Sequence, residues 1–437
     1  MQAFSATALF QQNSNYRAWF AGDTSAEIGS QLTSLAFTLL AYGVTRDLVQ
    51  AGLVGAVLAA ARFLVILPGG HVIDRFEKTQ LMRIYAASMM GIMALLAGFI
   101  LFQALSFTWL LVFAVLIGLV NGTFGGLTNA MLPFLLQDED LTDALALNET
   151  RDSVISVAAS PLGGVLFGIH PVIPFVTDIA AYFGLFCAST RIHLRGQEDP
   201  RATLSSDASE DSTLGNQCGN GASESTGKPD NRVPRWRELF GGLTWLAHNH
   251  DVLAVLVMLT LSNFGNFLMI SSTELKVQSD GNPGWVLGVI FSCFSAGMIL
   301  GGLLTPTIQR VLSRRALTLL TFAWESLGMI AMSMASAWLG IAVCLLLLTI
   351  PVIAMNSVLG SYQMTRTPDS LQGRVGTAFM FVIGTDPILG GSLSGVLLAS
   401  IGWGWTMLIC CSFNVLAAGV AFLEFHPGDP AEGVSEV

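Results

Sequence analysis

Sixteen of the twenty Lys and Arg residues fall into short gaps on one side of a ladder of apolar segments. That asymmetry constrains the fold more than any other feature of the chain. The twelve segments cover roughly 16–42, 50–71, 79–103, 107–132, 143–168, 171–190, 252–273, 285–308, 316–336, 338–364, 372–399 and 402–424. Each is long enough to cross a bilayer core, which takes about 20 mostly apolar residues as helix. Threading the chain through a membrane puts Arg17, Arg75, Lys78, Arg83, Arg191, Arg195, Arg201, Lys228, Arg232, Arg235, Arg237, Arg310, Arg314, Arg315, Arg366 and Arg374 on one face. Arg46 and Lys276 fall on the other, and Arg62 and Arg151 lie inside segments. The positive-inside rule then makes both termini cytoplasmic.

Composition agrees with an all-α integral membrane protein. Hydrophobic residues make up 52% and charged residues 11%, against roughly 25% charged in soluble domains. The net charge of −10 sits largely in the middle loop and the tail after Glu424, where acidic residues carry little topological information. It gives no sign of a nucleic-acid partner. The Cys residues are scattered without a CxxC pair or metal spacing, so no metal or cofactor is expected. No short apolar run followed by a small-residue cleavage site opens the chain, so the first segment reads as retained.

One gap is long. Residues 191–251 are hydrophilic, and Ser205 to Asp230 is rich in Ser, Gly, Asp and Glu, a composition that cannot bury enough apolar surface to fold. Near 235–247 the pattern changes: Trp236, Leu239, Phe240, Leu243 and Leu246 recur at helical spacing beside Arg235, Arg237 and Glu238. This reads as an interfacial amphipathic helix on the linker. The linker divides the chain into an N-terminal six-helix bundle (1–190), a C-terminal one (252–425) and a cytoplasmic tail (426–437). The bundles read as repeats. Pro161 with Gly163-Gly164 has a counterpart in Pro387 with Gly390-Gly391, Gly69-Gly70 in Gly301-Gly302, and Asp178 in Asn414. Repeats of this kind build a central site between two rocking halves in several transporter folds.

The gap between segments two and three reads Gly70-His71-Val72-Ile73-Asp74-Arg75-Phe76-Glu77-Lys78. It resembles the signature loop of the major facilitator superfamily, G-x-x-x-D-R-x-G-R-R, at Gly70, Asp74 and Arg75. Lys78 stands where an Arg is usual, Glu77 replaces the second Gly and Thr79 the last basic residue. Gly29-Ser30-Gln31-Leu32, Glu238-Leu239-Phe240-Gly241-Gly242-Leu243 and Gly373-Arg374-Val375 resemble the branch of macrolide-efflux and enterobactin-type siderophore exporters. The resemblance implies the major facilitator fold, twelve transmembrane helices in two pseudo-repeats, a bacterial inner-membrane location, and a signature loop that latches the halves in the outward-open state. Physically, Gly70 suits a close helix hairpin, Asp74 suits a helix start, and Arg75 and Lys78 suit lipid headgroups. Segment four has no Arg, although many proton-driven exporters of the superfamily carry one there.

The residues expected to carry function are charges within the segments: Asp23, Glu27, Arg62, Arg151, Asp152, Asp178, Glu325 and Asp386. Each costs roughly 2.5–3.5 kcal/mol at a helix centre on insertion scales. Asp23 and Glu27 are four residues apart on one helix face. Glu27, Arg62 and Arg151 lie about 12–16 Å deep by helical rise, so Asp23, Glu27, Asp152, Arg62 and Arg151 are expected in one cluster of net charge near −1. Such a cluster suits proton coupling, and the competing reading is a structural ion-pair network. Asp386, before Pro387, is expected at a hinge or site of the C-terminal half. Asn121, Asn129, Asn263, Asn266 and Asn356 are candidate substrate contacts or interhelical hydrogen bonds.

No GxxxxGK[ST], GxSxG or HExxH motif occurs, so an enzyme is not expected. The reading is a monomeric, proton-coupled secondary exporter of an amphipathic small molecule. An importer, a lipid flippase and a non-transporting membrane sensor are the alternatives.

Overall fold

The computed structural model describes residues 13–136, 138–192, 244–368 and 371–425. The described residues are helical and contain no strand. The N-terminal half comprises α1 (Ser14–Thr45), α2 (Leu48–Arg75), α3 (Lys78–Leu101), α4 (Phe107–Phe124), α5 (Leu127–Leu135), α6 (Asp138–Ile169) and α7 (Ile173–Arg191). The C-terminal half comprises α8 (His250–Ser279), α9 (Gly284–Val311), α10 (Arg314–Met334), α11 (Trp338–Leu348), α12 (Val352–Arg366), α13 (Gln372–Ile383) and α14 (Asp386–Glu424). Most of the 191–251 linker, including Trp236 to Leu243, and the 426–437 tail lie outside the described residues. Leu246, from the linker's end, is buried in the core of the C-terminal half with Val252 and Leu256.

Ten helices among the described residues are long and apolar enough to cross a membrane. The last of them, Gln372–Glu424, contains two passes. Gly402 (φ 77, ψ 176) reverses the chain, a backbone conformation that residues with a Cβ rarely adopt. Trp403 then donates its indole N–H to the Met332 carbonyl at the end of α10 (2.8 Å), and the chain returns. α1, although 32 residues long, carries Asp23, Glu27 and Gln31 and is not among the ten. Counting it and the reversal is consistent with twelve passes. Short capped hairpins enforce the alternation: the Asp47 side chain accepts from the Val49 and Gln50 amides (2.8 and 3.1 Å) at the start of α2.

Three passes read as continuous are broken, two of them at matching places. The fourth breaks at Gly125-Gly126 between α4 and α5, and the tenth at Ile350-Pro351 between α11 and α12. The eleventh breaks at Gly384-Thr385, just before Asp386-Pro387. By contrast, Pro161 sits inside an unbroken α6.

The halves meet at the membrane face opposite the termini. There α6 packs on α9 so closely that a Cβ at Gly164 would sit 2.3 Å from the Gly284 carbonyl oxygen. On the other seam, α2 packs on α14, where a Cβ at Gly395 would sit 2.2 Å from the Leu48 oxygen. Ser292 donates to the Val157 carbonyl (2.7 Å), and Ser156 and Ser295 share a hydrogen bond (3.1 Å). Toward the terminal face, the α2 seam extends to the Phe63–Phe381 ring pair (5.0 Å). Beyond it α5 and α12 pack mainly within their own halves. Among the described residues the halves therefore part on the side that bears the termini.

Candidate functional site

α1 crosses α6 in the N-terminal half, and the crossing is held by charge. Arg151 of α6 donates from Nη2 to Asp23 Oδ2 of α1 (2.6 Å), from Nε to Asp152 Oδ1 (2.9 Å) and from Nη1 to Thr24 Oγ1 (3.3 Å). Its guanidinium lies 5.1 Å from the Phe20 ring centroid, a cation–π geometry. The Trp19 indole, one turn before Asp23 on α1, donates to the Thr128 carbonyl of α5 (3.2 Å). Asp23 and Arg151 are largely buried, and Asp152 is more exposed. Burial makes the pair strong only while both members stay charged; removing one leaves an uncompensated ion.

Glu27 lies one turn farther along α1 and accepts from its own helix, at Gln31 Nε2 (2.8 Å). No cation pairs with it among the described residues. Arg62 does not join the cluster. It is exposed, and among the described residues it makes no ion pair. Its helix α2 is pressed on α4, where a Cβ at Gly122 would lie 2.3 Å from the Arg62 oxygen. Two turns separate it from Gly55, so it shares that residue's face, toward the space between the halves. The site thus contains three carboxylates (Asp23, Glu27, Asp152) and one cation (Arg151). Its formal charge is −2, where the sequence reading with Arg62 gave −1.

The C-terminal half builds a different polar site. Glu325 of α10 is fully buried and accepts from Ser262 Oγ (3.3 Å) and Asn266 Nδ2 (3.2 Å) of α8. Neither a Lys nor an Arg contacts it among the described residues. Asp386 is buried at the break that precedes Pro387, and its Oδ2 has no hydrogen-bond partner among the described residues. Asp178 is also buried, with neither carboxyl oxygen hydrogen-bonded.

The asparagines divide. Asn266 joins Glu325, and Asn121 accepts from the Tyr85 hydroxyl (3.1 Å), which also meets Tyr182 (3.1 Å). Asn263 donates to the Leu259 carbonyl of its own helix (2.8 Å). Asn129 and Asn356 are exposed.

At the signature loop, Arg75 is exposed but Lys78 is not: it is buried with Nζ 4.2 Å from the Phe134 ring centroid of α5. The headgroup role read for Lys78 gives way to packing. The two departures from the family pattern answer each other, because the Thr79 hydroxyl donates to the Glu77 carboxylate, as does the Gln80 amide. Gly69 makes the close approach here, to the Gly122 and Thr123 backbone. Gly70 is half-buried. The Asp74 side chain lies outside the described residues.

Sequence reasoning missed Glu274. It lines a cavity of about 150 Å³ between the halves, formed by α1, α2, α8 and α14. It is the single ionisable residue among those lining that cavity.

The description Major Facilitator Superfamily matches residues 24–385 of the chain. Solved structures share the fold at low identity. A nucleoside transporter, NupG in a D323A mutant, aligns with TM-score 0.69 and 13% identity over 94% of this chain and 100% of that one. A bacterial homologue of the iron transporter ferroportin, inward-facing, gives 0.66 and 14% over 94% and 98%. A bacterial homologue of the human lysosomal transporter Spinster, inward-facing and unoccupied, gives 0.63 and 14% over 94% and 96%. No curated protein matches the sequence significantly.

Proposed function

The chain belongs to the major facilitator superfamily, and on that premise we propose that it exports an amphipathic small molecule by alternating access, driven by protons. The observation that carries this reading is the Asp23–Arg151 pair across α1 and α6, beside Asp152 and Glu27. More carboxylates than cations in one membrane-buried site provide proton-exchange capacity. A proton on Asp23 cancels its half of the pair and releases Arg151. About 9 Å farther along the same helix, the Val157 carbonyl accepts from Ser292 of α9 across the seam between the halves. The charge event therefore acts on a helix that forms half of the far-face closure. That is a physical link between protonation and rocking.

With the arginine-rich terminal face cytoplasmic, the parted side opens inward, a state in which an exporter loads and an importer releases; the export reading takes it as the loading state. The exposed Arg75 is then a latch disengaged, available to the opposite half when the inner face closes.

The test is gradient-driven flux of a fluorescent amphipathic probe in proteoliposomes. Asp23→Asn, which keeps shape, is expected to lower proton-driven flux per folded protein more than tenfold, and to lower the melting temperature less than loss of Arg151 would, because Asp152 still faces the guanidinium. Normal pumping by both Asp23→Asn and Glu27→Gln would make the cluster structural and remove this reading.

A further inference from the structure

The cavity at the closed end of the interface has an unusual chemical balance. It is walled by Phe37 of α1, Phe267 of α8, and Gly52 and Gly55 of α2, and Glu274 is its single ionisable group. The Glu274 carboxylate has no ion pair or hydrogen bond to a described residue. Its charged near-neighbour Lys276 is engaged elsewhere, with Nζ 2.5 Å from Asp280 Oδ1. Three hydroxyls lie on the wall: Ser271 stands one turn before Glu274 on α8 and keeps a proton to donate, whereas the other two have spent theirs. Thr38 donates to the Ser34 carbonyl (3.4 Å) and Ser394 to the Gly391 carbonyl (2.8 Å). What they present to the cavity is lone pairs. Pro387, also on the wall, has no N–H to offer.

A carboxylate taken out of water costs several kcal/mol unless something compensates it. The described surroundings supply acceptors, aromatic faces and the single Ser271 hydroxyl, but no positive charge. The missing component is therefore a cation that brings its own N–H groups, and the two Phe rings suit the ammonium head of an organic amine. The volume decides against a whole cargo molecule. About 150 Å³ takes a substituted ammonium head, while the apolar body would extend toward the open side. We propose that Glu274 anchors the protonated amine of the cargo, which makes the cargo an amphipathic organic cation.

This rests on the transport reading above, but equilibrium binding tests it without a gradient. Purified protein in lipid nanodiscs is titrated with dansylcadaverine, whose free amine is cationic, and with its neutral N-acetyl derivative, by dansyl fluorescence. Wild-type protein is expected to bind the amine at least tenfold more tightly than the amide. Glu274→Gln should bring the ratio near one, and Glu274→Asp should retain a preference for the amine. Removing an unpartnered charge should leave the melting temperature of Glu274→Gln level or higher, so a folding defect is not the expected confounder. Equal affinities in wild type, or an undiminished preference in Glu274→Gln, would overturn the assignment. So would a Glu274-dependent thermal shift by sodium ions without any by the amine, which would make this an inorganic cation site. Failure here with intact proton-driven flux leaves the coupling cluster standing; a dead coupling cluster with intact amine binding leaves Glu274 standing.

Discussion

The two halves share a backbone plan and differ in charge. In the N-terminal half, α1 and α6 are tied by an ion pair, Asp23–Arg151, with Asp152 and Thr24 completing the guanidinium's partners. The C-terminal half has a carboxylate with neutral donors, Glu325 with Ser262 and Asn266. The backbone difference runs the other way: Pro161 leaves α6 continuous, whereas the chain breaks at Gly384-Thr385 before Pro387. An unbroken helix transmits a charge event along its length, and a broken one absorbs motion. Under the proposed function, this contrast would put coupling at the α1–α6 crossing and an added flexing point at the eleventh pass, beyond the break that each half already has in its fourth and tenth pass.

The most severe way to break this comparison is Arg151→Ala. It strands Asp23 among buried groups, a loss of about 3–5 kcal/mol for one partner of a buried pair. Proton-driven flux should vanish and the melting temperature fall by many degrees. The double variant Asp23→Asn with Arg151→Gln should recover much of the stability and none of the flux, because the two changes are coupled. If Arg151→Ala alone is as stable as wild type, the pair is not what holds α1 on α6.

Next in size is Gly164→Leu. A Cβ there already sits 2.3 Å from the Gly284 oxygen, so a side chain forces α6 off α9 at the far face. Flux should drop at least tenfold with folding largely intact. A cysteine at Gly55, where a Cβ meets no atom within 4 Å, should become reactive from the far face in this background. Unchanged labelling would show that the seam does not gate the cavity.

A smaller effect is expected from Glu325→Gln. The isostere keeps an acceptor for Asn266 or Ser262, and no cation is left unpaired. Flux should stay within about twofold and stability within roughly 1 kcal/mol, the worth of one hydrogen bond. A collapse comparable to Asp23→Asn would move coupling into both halves.

The architecture was legible because the bilayer imposes it: segment length and the placement of Arg and Lys are read directly from composition. The Asp23 and Arg151 positions were legible for the same reason, since charges in apolar runs stand out. Their pairing was not. Depth along the helix put Glu27 level with both Arg151 and Arg62, but rotation about each helix axis decides partners, and periodicity leaves that angle open. Glu274 was lost at a boundary. The seventh segment was closed at 273, whereas α8 continues to Ser279 and ends before the turn at Gly281 (φ 76) and Pro283. The Gly-x-Pro signal of that turn would have set the boundary correctly. The breaks at Gly125-Gly126 and Ile350-Pro351 were likewise marked by helix breakers inside apolar runs long enough to hide them.

The smallest expected effect is also the sharpest comparison of the repeats. Asp178 of α7 and Asn414 of α14 occupy matching places, each fully buried. The Asn414 amide faces the Met329 sulfur (3.5 Å), while both Asp178 oxygens lack hydrogen bonds and Oδ1 crowds Gly29, where a Cβ would lie 2.3 Å from it. Asp178→Asn therefore makes the N-terminal half resemble the C-terminal half at this point and removes an ionisable group from an apolar site. A buried carboxyl without partners contributes no stability that an amide of equal size would forfeit. The expected outcome is a melting temperature level with wild type or a few degrees higher, and flux within twofold. Differential scanning fluorimetry beside the proteoliposome assay reads both. If stability holds but proton-driven flux collapses, Asp178 carries a proton in its own right, and the coupling path of the N-terminal half runs from the α1–α6 crossing to the α1–α7 contact.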